Sequence, residues 1–178
     1  MNLILVHYEE TQHNLESRAI GFNTVALDSR GRLQAPNIAE ALVSLAPVAL
    51  HTSPIPRALE TATIISQKLN IEVHPYDSLK EANIEHLDRL VQEEIWQQYP
   101  DFRTWSIDVS TAVMPDGESV LPVQERIWNT IEEIRGLHLE ENVAIVSHNF
   151  TLLWLVYKFL GMPLPHCPRP RLNLGSIT

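Results

Sequence analysis

The feature that most constrains the fold is a repeated change of period along the chain. Short apolar runs alternate with longer stretches whose apolar residues recur every three to four positions. "NLILV" (2–6), "VALHTS" (48–53), "IEVHP" (71–75) and "NVAIVSH" (142–148) read as strands. Residues 29–45 read as helical in their second half, with Pro36 near the helix start, and 54–69 open on prolines that suit a first helical turn. A helix is expected around 87–98, a long amphipathic one from about 118 to 137, and a mostly buried one over 150–161, closed by Gly161. Residues 171–178 read as one more strand. Near-continuous apolar strands separated by helices predict a mainly parallel sheet covered on both faces, an α/β protein built as a three-layer α/β/α sandwich. No repeat, low-complexity tract or linker divides the sequence, so residues 1–178 are read as a single domain.

In parallel sheets of this kind, ligands bind beyond the carboxyl ends of the strands. Three strands here end in groups able to do chemistry: His7 with Tyr8, Thr52 and Ser53 leading to Arg57, and Ser147 with His148. Their convergence is the functional signal; each alone is weak.

Charge narrows the partners. Asp and Glu outnumber Lys and Arg by 22 to 13, for a formal charge of -9. No basic excess exists to neutralise nucleic-acid phosphates or an anionic membrane, so neither is expected as a partner. A local cationic pocket for a small anion is compatible with that balance. Cys167 is the single cysteine, which excludes an intramolecular disulfide. No apolar run approaches membrane-spanning length and no basic leader precedes the first strand, so a cytoplasmic location is expected.

Five segments, taken in order, resemble the histidine phosphatase superfamily, the phosphoglycerate mutase-like proteins. "LILVHYEETQHN" stands where that family has its first strand and Arg-His-Gly-Glu-Thr loop. "TSPIPRALETA" matches its Ser-Pro-x-x-Arg-Ala-x-x-Thr-Ala segment, and "LKEANI" its Leu-x-Glu segment. "PDGES" matches its Gly-Glu-Ser turn, and "VAIVSHN" its second-histidine strand. The resemblance implies a phosphoglycerate mutase-like fold and a phosphoenzyme mechanism. A first-loop histidine attacks phosphorus, arginine and the second histidine hold the phosphoryl oxygens, and a carboxylic acid protonates the leaving alcohol. Carried onto this chain, Arg57 holds phosphate as a bidentate fork, His148 is the second pocket histidine, Glu81 the proton donor and Asn14 a phosphate contact. Neither a cofactor nor a metal is implied.

The departures lie at the centre. Aligned without gaps, His7 falls where the family has arginine, Tyr8 where it has the nucleophilic histidine, and Glu9 where it has glycine. Asn149 replaces the glycine that commonly follows the second histidine. A one-residue slip that brought His7 to the nucleophile position would turn every strand side chain to the wrong face. The matches at Glu10, Thr11 and Asn14 hold the register from the other side. A phenol with a pKa near ~10 is almost wholly protonated at neutral pH. Loss of a covalent nucleophile costs roughly 10⁴ to 10⁶ in rate by analogy with serine hydrolases.

Three functions therefore stand side by side. One is a silent or very weak member with an anion pocket around His7, Asn14, Arg57 and His148 that binds a small phosphorylated ligand. The second is a phosphomonoesterase acting on a small phosphorylated metabolite with a rebuilt nucleophile, and the third an interaction protein with a vestigial pocket. An exposed edge strand is able to support a homodimer. His13, His51, His74, His86, His138 and His166 are scattered without metal-ligand spacing and read as structural or surface groups. The tryptophans at 96, 105, 128 and 154 read as core or helix-packing residues.

Overall fold

The computed structural model describes residues 1–102, 114–164 and 172–178. Four parallel strands form its sheet in the order β1-β4-β2-β3: β1 (Asn2–His7), β2 (Ala49–Thr52), β3 (Val73–Pro75) and β4 (Asn142–Ser147). The two central strands are buried along nearly their whole length, which is why their sequences are apolar without alternation.

The sheet's two faces carry two cores. Ala144 and Val146 of β4, with Ile4, Val6 and Leu50, pack against α2 (Ser29–Val43) and α3 (Pro56–Leu69). Val143 and Ile145, with Leu5 and Ala49, pack against α5 (Val120–Leu137) and α6 (Asn149–Phe159). The expected sandwich is thus present. The short α1 (Gln12–Leu15) follows the first strand, and α4 (Gln92–Gln98) belongs to a third apolar cluster that joins residues 82–95 to Trp154 and Tyr157. Among the described residues, no helix is long and apolar enough to cross a membrane.

Several boundaries differ from the sequence expectation for physical reasons. The helix expected in the second half of 29–45 begins at Ser29, because Asp28 caps it by accepting from the backbone of Arg30 and Gly31 at 2.9 and 2.8 Å. Pro36 consequently lies inside the helix, on its exposed side, where water can serve the carbonyl its missing N–H leaves free. The helix expected near 87–98 is shorter, running over Gln92–Gln98, and a separate 3-10 turn over Glu85–Leu87 precedes it. Residues 172–178 do not continue as a regular strand. They turn at Gly175, whose φ is +66°, and then meet β1 in one antiparallel bridge, Val6 with Ile177. Trp154 is core and Trp128 stacks against Phe159 at 5.1 Å, but Trp96 is 41% exposed, and Trp105 lies outside the described residues.

Candidate functional site

The carboxyl ends of β1, β2 and β4 are adjacent in the sheet, and they bring the predicted residues together. Tyr8 is the centre. Its ring lies 4.6 Å from that of His7 and 5.3 Å from that of His148, and the Arg57 guanidinium carbon stands 4.9 Å over it. Burial pushes the pKa of its hydroxyl up, partly offset by the Arg57 charge and the Asn14 side chain, which both draw the hydroxyl toward its ionised form. A neutral phenol therefore fills the space between the residues assigned to phosphate.

Each neighbour is held by its own element. Arg57 lies in the first turn of α3, on a helix stripe that also buries Ala58, Thr61, Ala62 and Ile65. It is fully buried, and its two terminal nitrogens donate to the carbonyls of Asn23 (3.1 Å) and Gly21 (2.8 Å). His148 precedes α6 and shares a 2.8 Å hydrogen bond between Nε2 and the Oγ of Ser53. Asn14 answers Thr11 in a capping box, its Oδ1 accepting from the Thr11 backbone at 3.0 Å. The remaining nitrogens that face inward, His7 Nε2, Arg57 Nε and His148 Nδ1, are buried without a hydrogen-bond partner.

The Glu81 carboxyl, close enough to feel the Arg57 charge, is held by backbone donors. Its carboxylate accepts from the backbone of Ala82 at 3.0 Å, and from Phe150 and Thr151 at 3.1 Å each. It therefore caps the start of α6 from another segment, satisfying two of the donors a helix leaves open there. Burial pushes its pKa up despite these donors. Behind it, Arg126 of α5 donates to the carbonyls of Lys80 and Glu81, each at 2.8 Å, and pairs with Glu118 at 3.1 Å. Gly117 allows the turn carrying Glu118 to approach: a Cβ there would stand 2.2 Å from the Asn83 carbonyl oxygen. Sequence reasoning missed Arg126 and did not assign Ser53 a role. Glu118 lies before α5, so helix spacing gave no signal for its pairing with Arg126.

The four departures from the family motif share one neighbour, the chain's last described segment. His7 Nδ1 lies 3.0 and 3.1 Å from the carbonyls of Leu172 and Asn173, so it carries the proton. The backbone N–H of Gly175 donates to the carbonyls of His7 and Tyr8, and Asn149 Oδ1 accepts from the Leu172 backbone at 2.8 Å. The φ of +66° at Gly175 favours glycine, and a Cβ there would stand 2.1 Å from the Glu9 carboxylate and push it aside. Burial pushes the Glu9 carboxyl up as well.

These burials set a pH dependence. Burial and the Arg57 charge take His7 from 6.5 down to about 4, and His148 falls well below its ordinary value for the same reasons. The unfolded chain therefore binds more protons than the fold between about pH 4 and 6.5, and stability falls as pH drops through that window. Glu9 and Glu81 act oppositely, since carboxyls raised in the fold favour it as pH falls. For His7 alone the loss between pH 7.5 and 5 is about 2 kcal/mol. Urea midpoints measured over that range should fall steadily, and less steeply in His7→Asn. A midpoint that rises on acidification would contradict the neutral, buried imidazoles.

Among the described residues, no group of three His, Cys, Asp or Glu side chains is placed to hold a metal ion. The family model described as histidine phosphatase superfamily (branch 1) matches residues 3–178. Phosphoserine phosphatase 1 of Hydrogenobacter thermophilus is 30% identical over 165 residues, 92% of this chain and 78% of its own. A probable phosphoglycerate mutase of Shigella boydii is 29% identical across 100% of this chain and 83% of its own. Among solved structures, Bacillus stearothermophilus YhfR superposes with a TM-score of 0.92 at 29% identity, covering 98% of this chain and 88% of its own.

Proposed function

The chain belongs to the histidine phosphatase superfamily, and we propose that it is a member without effective phosphohistidine turnover, whose phosphate site is occupied from within by Tyr8. The observation that carries this reading is the tyrosine ring between His7, Arg57 and His148. The arginine and the two imidazoles of a phosphate pocket are gathered, but they close on an aromatic face and a phenol. A phosphorylated small molecule is the ligand class this chemistry supports, and relatives named as a phosphoserine phosphatase and a probable phosphoglycerate mutase point the same way. Binding in that site competes with Tyr8 and is correspondingly weak.

One observation favours a second reading, phosphomonoesterase activity through His7. Its Nδ1 proton is committed to tail carbonyls, so Nε2 carries the lone pair, and that nitrogen has no partner. A neutral imidazole oriented in this way is equipped for attack on phosphorus.

Phosphoryl trapping separates the two. The protein is incubated with an aryl phosphate, quenched under alkaline denaturing conditions that preserve phosphohistidine, digested and mapped by mass spectrometry. The proposal predicts unmodified peptides. A phosphoryl group on His7, absent from His7→Asn, would establish the second reading and overturn the first.

A further inference from the structure

Arg57 is buried in the first turn of α3, but its guanidinium is directed from outside that helix. Its terminal nitrogens donate to the carbonyls of Gly21 and Asn23. The same two residues give their N–H groups to one carboxylate. Asp88 Oδ1 accepts from the Gly21 backbone at 3.1 Å and from Asn23 Nδ2 at 2.5 Å, and its Oδ2 accepts from the Asn23 backbone at 3.1 Å. A charged acceptor makes such bonds stronger than a neutral one would. Gly21 and Asn23 are thus each held twice, by Asp88 at the N–H and by Arg57 at the carbonyl.

The anchor itself is kept in place. Asp88 follows the 3-10 turn Glu85–Leu87, whose Leu87 is buried. Arg89, next in the chain, has a φ of +72°, a left-handed conformation that is costly for a residue with a side chain. Bonds to the chain just ahead of the 21–23 loop maintain it. The Arg89 N–H donates to the Ala19 carbonyl at 2.8 Å, its carbonyl accepts from Arg18 Nη1 at 2.9 Å, and the Ala19 N–H donates to the Leu90 carbonyl at 2.9 Å. The loop also lies tightly on the segment that follows Glu81, since a Cβ on Gly21 would stand 2.5 Å from Ile84 Cγ1. Strain that the surroundings hold at one residue marks a segment kept for its geometry.

We propose that Asp88 is a positioning residue: acting through Gly21 and Asn23, it fixes the Arg57 guanidinium beside the Tyr8 ring with Nε–H left as the open donor. The proposal rests on reading that site as a phosphate site. Arg57 Nε is buried without a partner, whereas both terminal nitrogens are committed to the loop. Asp88 itself touches no ligand; its effect reaches phosphate only through Arg57.

Two readouts separate this role from simple support of a loop. In the ¹⁵N-labelled full chain, the Arg57 side-chain signals are identified by their absence from Arg57→Lys. Bonds at both terminal nitrogens restrict rotation of the guanidinium, so the wild type should show separate Nη signals. Asp88→Asn, which replaces one acceptor oxygen with a donor, should merge them and shift the Nε–H signal. Phosphate binding, measured by calorimetry in a Tyr8→Ala background that opens the site, should weaken about tenfold with Asp88→Asn. Asn23→Ala removes only the side-chain bond to Asp88 and should act in the same direction by about threefold, which keeps the test open should Asp88→Asn fail to fold. Ser66→Ala, which loses a hydrogen bond at the far end of α3, should change stability alone. Unaltered Arg57 signals in the folded variants would overturn the proposal, as would an unaltered phosphate affinity where Tyr8→Ala binds phosphate. Failure of Tyr8→Ala itself to bind phosphate would instead overturn the phosphate reading, and the Arg57 signals alone would then decide the role of Asp88.

Discussion

Tyr8→Ala should bind inorganic phosphate at least tenfold more tightly than the wild-type protein, a gain of about 1.4 kcal/mol. In the wild type a phosphate must displace a buried phenol ring that lies against His7, His148 and the Arg57 guanidinium. Removing the ring leaves a cavity lined by the Arg57 guanidinium, His7 and His148, each presenting an unsatisfied nitrogen. A phosphate oxygen accepts from the Arg57 Nε–H and a protonated phosphate oxygen donates to His7 Nε2, and charge-assisted bonds to a guanidinium are the strong ones. The substitution also removes a buried aromatic side chain and costs stability of about 3 to 4 kcal/mol, so calorimetry is run cold and folding confirmed first. Added phosphate should recover part of that loss in thermal melts of Tyr8→Ala and little in the wild type. Combining it with Arg57→Met should abolish the gain. An unchanged phosphate affinity in Tyr8→Ala would mean that the tyrosine does not stand in a phosphate site.

The second large effect is on folding. Glu81→Ala strips the acceptors from the backbone donors of Ala82, Phe150 and Thr151 in a buried environment, and each unpaired donor costs about 1 kcal/mol or more. A loss of about 3 kcal/mol in urea unfolding is expected. Glu81→Gln keeps one good acceptor and should lose about half as much. If Glu81 were only a catalytic acid, both variants would be close to wild type in stability, since such groups contribute little to the fold.

The sheet and its helices were legible because burial on both faces forces apolar strands, and β4 shows this most plainly: Val143 to Val146 alternate between two cores, so none can be polar. The strand-tip histidines were legible because chain order and strand direction put them at one edge. Less was legible where a bond joins distant segments. Nothing near Glu81 announces that its carboxylate caps a helix beginning at Asn149, a contact spanning about seventy residues. The start of α2 was hidden by Pro36, a local breaker overruled by the Asp28 cap and by burial of Ile38, Ala39 and Leu42. The histidines at 51, 74 and 138 have no shared spacing, because strand pairing and the end of α5, not local sequence, bring them together. Likewise, the substitutions at His7, Glu9 and Asn149 read as isolated losses until the last segment is seen against all of them.

The most direct test of the central claim is steady-state hydrolysis of a generic aryl phosphate from pH 5 to 8, at high protein concentration, with and without a chelator. His148→Ala is run beside the wild type. The account predicts traces at background throughout, unaffected by the chelator, with wild type and His148→Ala indistinguishable. Turnover above background that His148→Ala abolishes would contradict it, and would mark the protein as a working phosphatase with a rebuilt nucleophile.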